Sequence, residues 1–152
     1  MRIQTFPALV VCLFLAGCAQ ENKDATLEDL YTREVKFPDG AAIRAEALYK
    51  PFDIARGMMF RDSLAADRGM LFLNSTPDVR KAWMYNVRIP LDIIWMDGNR
   101  IITEIVANVP PCTAPKASQC PNYGTTRSQF MLEVNAGFAA KHNLKPGIRL
   151  EF

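Results

Sequence analysis

Residues 55–96 constrain the fold more than any other stretch of the chain. They form the densest run of apolar and aromatic residues after the N-terminal segment, and arginines and aspartates interrupt the run where turns are expected. Within it, residues 70–73 are continuously apolar, which predicts a strand buried on both faces. A chain of 152 residues with 49% hydrophobic residues can bury such strands in one domain. We therefore expect this stretch to form the core and one wall of any pocket.

Turn sequences divide the rest of the chain into short strands and two short helices. The tripeptides at residues 38–40 (Pro-Asp-Gly) and 97–99 (Asp-Gly-Asn) are typical of hairpin turns. The predicted helices are residues 53–60 and 136–142, and the predicted strands are residues 34–37, 42–48, 70–73, 82–87, 91–96, 100–106, 129–134 and 147–152. This pattern predicts a small β-rich α+β domain with an antiparallel or barrel-like sheet and two short helices.

The first 17 residues have the pattern of a secretory signal peptide. A positive charge at Arg2 precedes an almost wholly apolar run at residues 6–15, and a Leu-Ala-Gly-Cys tetrapeptide ends at Cys18. The run is shorter than the roughly 20 residues that cross a bilayer. The tetrapeptide resembles the bacterial lipobox, in which cleavage precedes a cysteine whose sulfur carries a diacylglycerol. We expect a signal peptide at residues 1–17 and a lipidated Cys18; an ordinary signal ending in cysteine and a short membrane anchor are the alternatives.

Lipidation at Cys18 predicts an exported protein that is anchored to a membrane of the cell envelope. Two or three acyl chains on one residue hold a protein stably at a membrane, whereas a single chain does not. Ala19 follows the cysteine in place of an aspartate, which favours the outer membrane, facing the periplasm, if the host is Gram-negative. Residues 18–32 are polar and are predicted to form a lipidated tether, and residues 33–152 to form a single domain.

Charge and motifs exclude several classes of partner. The formal net charge is +2 and the charged residues are scattered, so no basic patch with interleaved aromatic residues predicts binding to nucleic acid. The sequence contains no glycine-rich phosphate loop and no metal-binding motif. We therefore expect no cofactor, no metal and no nucleic-acid partner.

Cys112 and Cys120 are the cysteines that remain beyond the predicted signal and lipidation site, and they lie in one proline-rich loop. In an exported protein, two such thiols predict a disulfide. A redox pair or a metal pair is the alternative. Redox pairs are usually spaced Cys-x-x-Cys, and zinc needs four ligands, of which only His142 could add one here.

Several separate motifs follow one another from Arg33 to the end of the chain. They are Arg56-Gly57-Met58-Met59-Phe60-Arg61, Gly69-Met70-Leu71-Phe72, Trp83-Met84, Ile89-Pro90-Leu91-Asp92-Ile93-Ile94-Trp95, Pro111-Cys112 with Cys120-Pro121, Leu132-Glu133 with Ala136-Gly137, and the closing Gly147 segment. In this order they resemble the bacterial and archaeal family called domain of unknown function 192. Met58 departs from the leucine that is more usual there, and Tyr85 departs from a lysine or arginine. The resemblance implies a small β-rich α+β domain, often exported or lipid-anchored, with no established activity.

Arg61 and Asp92 are the first candidates for a binding site. Each adjoins an apolar run and lies in one of the matched motifs. If the two meet at the sheet edge, they would form a bidentate pair or present a guanidinium to an anionic ligand. The alternative is a structural ion pair that fixes the loops.

Asp67, Trp83 and Glu133 are the second set of candidates, and they would add a wall and a further carboxylate to the same site. Paired carboxylates can perform acid–base work when they lie within reach of each other. The alternative is that Asp67 is a surface charge and Trp83 belongs to the core.

The methionines and the single histidine complete the candidates. Methionine thioethers bind copper(I), but these residues stand singly or in pairs within apolar runs, as gap-filling core residues do. His142 lies at the end of a predicted helix, and spacing suggests no serine or cysteine partner for catalysis. The six methionines of the predicted domain are Met58, Met59, Met70, Met84, Met96 and Met131.

Three functional hypotheses follow. The first is a non-enzymatic, lipid-anchored envelope domain that binds a small ligand or an envelope protein through the region of Arg61 and Asp92. The second is a hydrolase-like enzyme that uses the carboxylates of Asp67, Asp92 and Glu133 with Arg61. The third is a methionine-based copper binder. The sequence leaves open whether the protein is an enzyme.

Overall fold

The structure, a computed structural model, describes residues 31–152. The predicted signal peptide, the predicted lipidation site at Cys18 and most of the predicted tether lie outside the described residues. The first strand begins at Thr32, the last residue of the predicted tether. In the part of the chain that the structure describes, no helix is long and apolar enough to cross a membrane.

Six strands and two short helices make up the described part of the chain. In chain order they are β1 (Thr32–Lys36), β2 (Ala42–Leu48), α1 (Pro51–Arg56), β3 (Arg68–Val79), β4 (Leu91–Met96), β5 (Ile102–Val109), β6 (Arg127–Asn135) and α2 (Phe138–Lys141). A single 3-10 turn at Ala117–Gln119 lies in the loop between β5 and β6. The predicted small α+β domain with two short helices is confirmed.

The strands form one six-stranded sheet in the order β1-β2-β3-β6-β4-β5. The hairpins β1–β2 and β4–β5 are antiparallel, as the two turn tripeptides predict. The pair β2–β3 is parallel, so the sheet is mixed and open, where we expected an antiparallel or barrel-like one. Parallel neighbours need a crossover connection, and residues 49–67, which contain α1, supply it.

The sheet has an apolar core on each face. We call the side covered by the crossover the crossover face; its buried residues include Met58, Met70, Phe72, Trp95 and Met131. We call the other side the helix face, because α2 covers it; its buried residues include Leu71, Ile94, Leu132, Phe138 and Leu150. Every residue of β4 is buried, which explains why its sequence is apolar apart from Asp92.

Two predicted strands are not continuous strands. Residues 82–87 make only isolated bridges, from Ala82 to Tyr123 and from Tyr85 to Cys112. Residues 147–152 make two more, to the last residue of β1 and to the residue directly before β5. Both segments contribute buried residues to a face of the sheet. A segment that packs on a sheet can alternate buried and exposed residues as a strand does, and the period alone does not distinguish the two.

The predicted disulfide between Cys112 and Cys120 is confirmed, with the two Cα atoms 5.8 Å apart. The amide of Cys112 donates a hydrogen bond to the carbonyl of Met84 at 3.2 Å. The disulfide-bonded loop is therefore attached to residues 82–87, the segment that forms one wall of the site described next.

Candidate functional site

A cleft of about 410 Å³ opens on the crossover face, between α1 and the segment that follows β3. Met58, Phe72 and Met131 line its apolar part, and all three are largely buried. Trp83 lines it as well and keeps 41% of its surface exposed. The cleft is therefore an apolar depression with an aromatic side chain that is open to solvent.

A sharp turn at the end of α1 shapes this cleft. Gly57 follows the helix with a φ of 45°, a conformation that side chains disfavour, and a Cβ there would lie 3.3 Å from the ring of Phe72. The turn directs the chain from the exposed helix into the core, where Met58 is 1% exposed. The helix ends at Arg56, four residues before the predicted end, because Gly57 breaks the helical path.

Glu133 brings a carboxyl group to this apolar cleft. It lies on β6 between Met70 of β3 and Ile93 of β4, and it is only 6% exposed. The carboxyl makes no hydrogen bond with any residue in the described range 31–152. Burial raises the pKa of Glu133 to about 8, although the charge of Arg61 opposes this rise. The side chain is therefore mostly protonated and neutral at pH 7.

Arg61 pairs with Glu46, and the predicted pair with Asp92 is wrong. Two guanidinium nitrogens of Arg61 donate hydrogen bonds to the two carboxylate oxygens of Glu46 at 2.5 and 2.7 Å. Because Glu46 accepts these bonds, the pKa of Arg61 is raised above its ordinary value. Glu46 is level with Met70 on β3, and Met70 is level with Glu133 on β6, so one strand separates the pair from Glu133.

Asp92 lies on the helix face, because residue parity along β4 directs it away from the cleft. Its carboxylate is fully buried and accepts three backbone hydrogen bonds: from Asn108 at 2.7 Å, from Gly137 at 3.1 Å and from Ala139 at 2.8 Å. These bonds attach Asp92 to the register shift in β5, where Asn108 lies, and to the start of α2. The geometry assigns Asp92 a structural role in joining these elements.

The structure separates the carboxylates that the enzyme hypothesis groups together. Asp67 is exposed and lines a different depression with Glu34 and Arg44, near the first two strands. Of the candidates other than the methionines, Trp83 and Glu133 share the cleft. The alternative that placed Trp83 in the core is wrong, since its side chain is half exposed at the cleft wall.

The methionines are divided between the two faces. Met58, Met59 and Met131 line the cleft, Met70 and Met84 are buried beneath the same face, and Met96 belongs to the helix-face core. Within residues 31–152, no cluster of three histidine, cysteine, aspartate or glutamate residues could hold a metal ion.

His142 belongs to the helix face, where its Nδ1 lies 2.6 Å from Asp39. Its ring packs against Phe37 and Phe138. The single histidine therefore ties the β1–β2 turn to the end of α2, and it does not take part in the cleft.

Sequence reasoning missed four charged residues of this region: Glu46, Arg56, Arg80 and Lys81. Glu46 alternates along β2 with buried residues, a pattern typical of a solvent-facing side chain, but Arg61 of the crossover binds it. Arg56, Arg80 and Lys81 line the cleft. The available signal was the Arg80-Lys81 pair directly before an apolar segment, and it does not by itself distinguish a cleft from a solvated turn.

Replacing Glu133 with glutamine should increase stability, and the gain should grow with pH. A raised folded-state pKa means that the native protein holds this proton more tightly than the unfolded chain does. The resulting stability is complete below the unfolded pKa of 4.5 and is lost as pH rises towards about 8. We expect Glu133→Gln to gain on the order of 5 kcal/mol relative to the native protein between pH 4 and pH 9, since each pKa unit corresponds to about 1.4 kcal/mol.

Urea unfolding at several pH values measures this difference. Glu34→Gln is the matched control, because Glu34 is an exposed glutamate on an edge strand; its difference from the native protein should stay within about 0.5 kcal/mol. If Glu133→Gln shows the same flat profile as the control, the carboxyl is not held neutral in the cleft.

Comparisons with known proteins agree with this fold. A structure of a protein of unknown function from Novosphingobium aromaticivorans is 33% identical, covers 80% of this chain and 84% of that chain, and has a TM-score of 0.68. A structure from Sinorhizobium meliloti, described as a candidate transcription regulator, is 28% identical, covers 78% of this chain and 89% of that chain, and has a TM-score of 0.65. No curated protein matches the chain.

A family model assigns the domain more directly. Residues 34–152 match the model of the DUF192 family, which is described as "Uncharacterized ACR". The matched range begins one residue after the start of the resemblance noted in the sequence and includes β6 with Glu133 and both cysteines of the disulfide. The chain belongs to the DUF192 family.

Proposed function

We propose that this protein is an exported, lipid-anchored protein of the cell envelope whose domain binds a small ligand in the cleft over Glu133. The observation that carries the binding role is the buried carboxyl of Glu133, which faces an open apolar cleft and has no hydrogen-bond partner within residues 31–152. Burying a polar group without a partner costs stability, and groups with perturbed pKa values concentrate at functional sites. A bound ligand would supply the missing partner.

The shape of the cleft supports a small-molecule occupant. Its volume of about 410 Å³ falls in the range of pockets that hold drug-sized ligands. Such pockets are mostly apolar and carry a few polar groups that fix orientation. Met58, Phe72 and Met131 supply the apolar surface, and protonated Glu133 supplies one O–H donor and one carbonyl acceptor.

The proposed export and anchoring are supported by the N-terminal pattern and by the disulfide. Disulfides persist in oxidising compartments outside the cytoplasm, and the Cys112–Cys120 bond fits such a location. The Leu-Ala-Gly-Cys tetrapeptide at Cys18 resembles a lipobox. If the host is Gram-negative, we propose the outer membrane, with the domain facing the periplasm.

An enzyme and a copper binder are weaker candidates on this geometry. A carboxyl with a pKa of about 8 suits a general acid or base, which is the observation in favour of an enzyme. No second acidic side chain lines the described cleft. Three methionines line it, which favours copper(I), but Arg56, Arg80 and Lys81 surround it with positive charge and oppose a cation.

Binding of N-phenyl-1-naphthylamine, a neutral apolar dye whose emission rises in apolar sites, tests the proposed cleft. We expect the purified protein to bind the dye and Trp83→Ala to weaken the affinity about fivefold, since an aromatic contact of roughly 1 kcal/mol is lost. Phe52→Ala is the matched control, because Phe52 is an aromatic residue that is 77% exposed and does not line the cleft. No binding, or equal affinities for the two variants, would count against the proposal.

Mass spectrometry of the protein isolated from membranes tests the proposed anchor. We expect the N-terminus to be Cys18, carrying the mass of two or three acyl chains. Cys18→Ser should lose that mass and remain unprocessed, whereas Cys12→Ser, which lies within the predicted signal, should be processed normally. An unmodified Cys18 in the membrane fraction would exclude lipid anchoring.

A further inference from the structure

Three cationic side chains surround the cleft, and they come from two separate elements. Arg56 is the last residue of α1, and Arg80 and Lys81 directly follow β3. None of the three forms an ion pair with a carboxylate in the described part of the chain. The opening of the cleft therefore carries positive charge that the described residues do not neutralise.

Two of these cations are held by neutral carbonyl groups. Lys81 donates a hydrogen bond to the carbonyl of Gly124 at 2.5 Å, and Arg80 donates one to the carbonyl of Thr76 at 2.9 Å. A carbonyl orients a cation without cancelling its charge. The Nε of Arg80 is buried and has no hydrogen-bond partner within residues 31–152, so the donors of this guanidinium are not all used.

The backbone at Arg80 is fixed by its neighbours. The indole nitrogen of fully buried Trp95 donates to the carbonyl of Arg80 at 2.9 Å. Gly124 packs against the same carbonyl so closely that an added Cβ would lie 2.4 Å from the oxygen. The backbone at Arg80 is thus held in a fixed position beside the cleft before any ligand binds, which lowers the entropic cost of binding.

We propose that the ligand of this cleft is an amphipathic anion, whose apolar part contacts Met58, Phe72 and Met131 and whose acidic head group contacts Arg56, Arg80 and Lys81. This inference rests on the proposed binding function and adds the chemical class of the ligand. The head group is a carboxylate, sulfonate or phosphate, the anions that arginine and lysine bind with charge-assisted hydrogen bonds. The apolar part is an aliphatic chain or an aromatic ring.

Glu133 does not oppose an anion while it is protonated. It is the one acidic residue that lines the described cleft. The charge that acts on its pKa is that of Arg61, which is paired with Glu46, and the three cations line the same cleft. Above pH 8 its carboxylate would repel an anionic ligand. The affinity for an anion should therefore fall as pH rises through 8, and Glu133→Gln should remove that fall.

Displacement of N-phenyl-1-naphthylamine from the purified full-length protein tests the ligand class. The competitors share one apolar chain and differ in charge: octanoate, octanol and octylammonium. We expect octanoate to displace the dye at a concentration about tenfold lower than octanol or octylammonium does, with the preference shrinking at high salt. Naphthalene-2-sulfonate against 2-naphthol then distinguishes an aromatic ligand from an aliphatic one, and a preference for the anion in either pair supports the proposal.

Arg56→Gln/Lys81→Gln is the decisive variant, because both side chains are exposed and their replacement does not threaten the core. We expect it to bring octanoate to the affinity of octanol and to leave octanol within about twofold of the native value. Arg127→Gln/Lys141→Gln removes two exposed cations that do not line the cleft, and it should keep the full preference.

The outcomes separate the two proposals. If the dye binds at the cleft but octylammonium competes as well as octanoate, the anionic class is wrong and the binding function stands. If the preference for octanoate survives in Arg56→Gln/Lys81→Gln, these two side chains do not hold the head group, and the proposed contacts are wrong. If neither the dye nor any competitor binds, the proposed function fails, and the inference fails with it.

Discussion

The burial of one carboxyl group, that of Glu133, determines the electrostatics of the cleft. β6 is an inner strand of the sheet, and Glu133 lies between two apolar neighbours, Met70 and Ile93. An apolar side chain at this position could be buried without any electrostatic cost to the free energy of folding. The carboxyl avoids the larger cost of a buried charge by holding its proton, and Arg61, paired with Glu46, limits how far its pKa rises.

The two faces of the sheet each contain a buried acidic residue, and the two residues have different roles. On the helix face, the carboxylate of Asp92 accepts hydrogen bonds from three backbone amides and so joins β4, β5 and α2. Because these bonds occupy the carboxylate, it is not available to a ligand. On the crossover face, Glu133 has no such partners and meets an open cleft. Two acidic residues that are adjacent in register across β4 and β6 thus have opposite roles, because strand alternation places them on opposite sides of the sheet.

Local patterns in the sequence predicted the local structure well. The turn tripeptides located both hairpins, and the apolar runs located the buried strands. The parallel pair β2–β3 was missed, because parallel pairing depends on a long crossover that leaves no period in the sequence. The same pairing brings Glu46 within reach of Arg61, so the true partner of Arg61 could not be found from spacing. Glu133 was chosen as a candidate, but its burial without a partner depends on three strands and appears only in the fold.

An NMR titration of the side-chain carboxyl carbon of Glu133 measures whether this buried group is neutral at pH 7. We expect a midpoint near pH 8, because the group is buried in an apolar cleft and lacks a hydrogen-bond partner in the described domain. A midpoint near the ordinary value of 4.5 would show that the carboxyl is ionised and solvated at neutral pH, and the cleft as described here would be wrong.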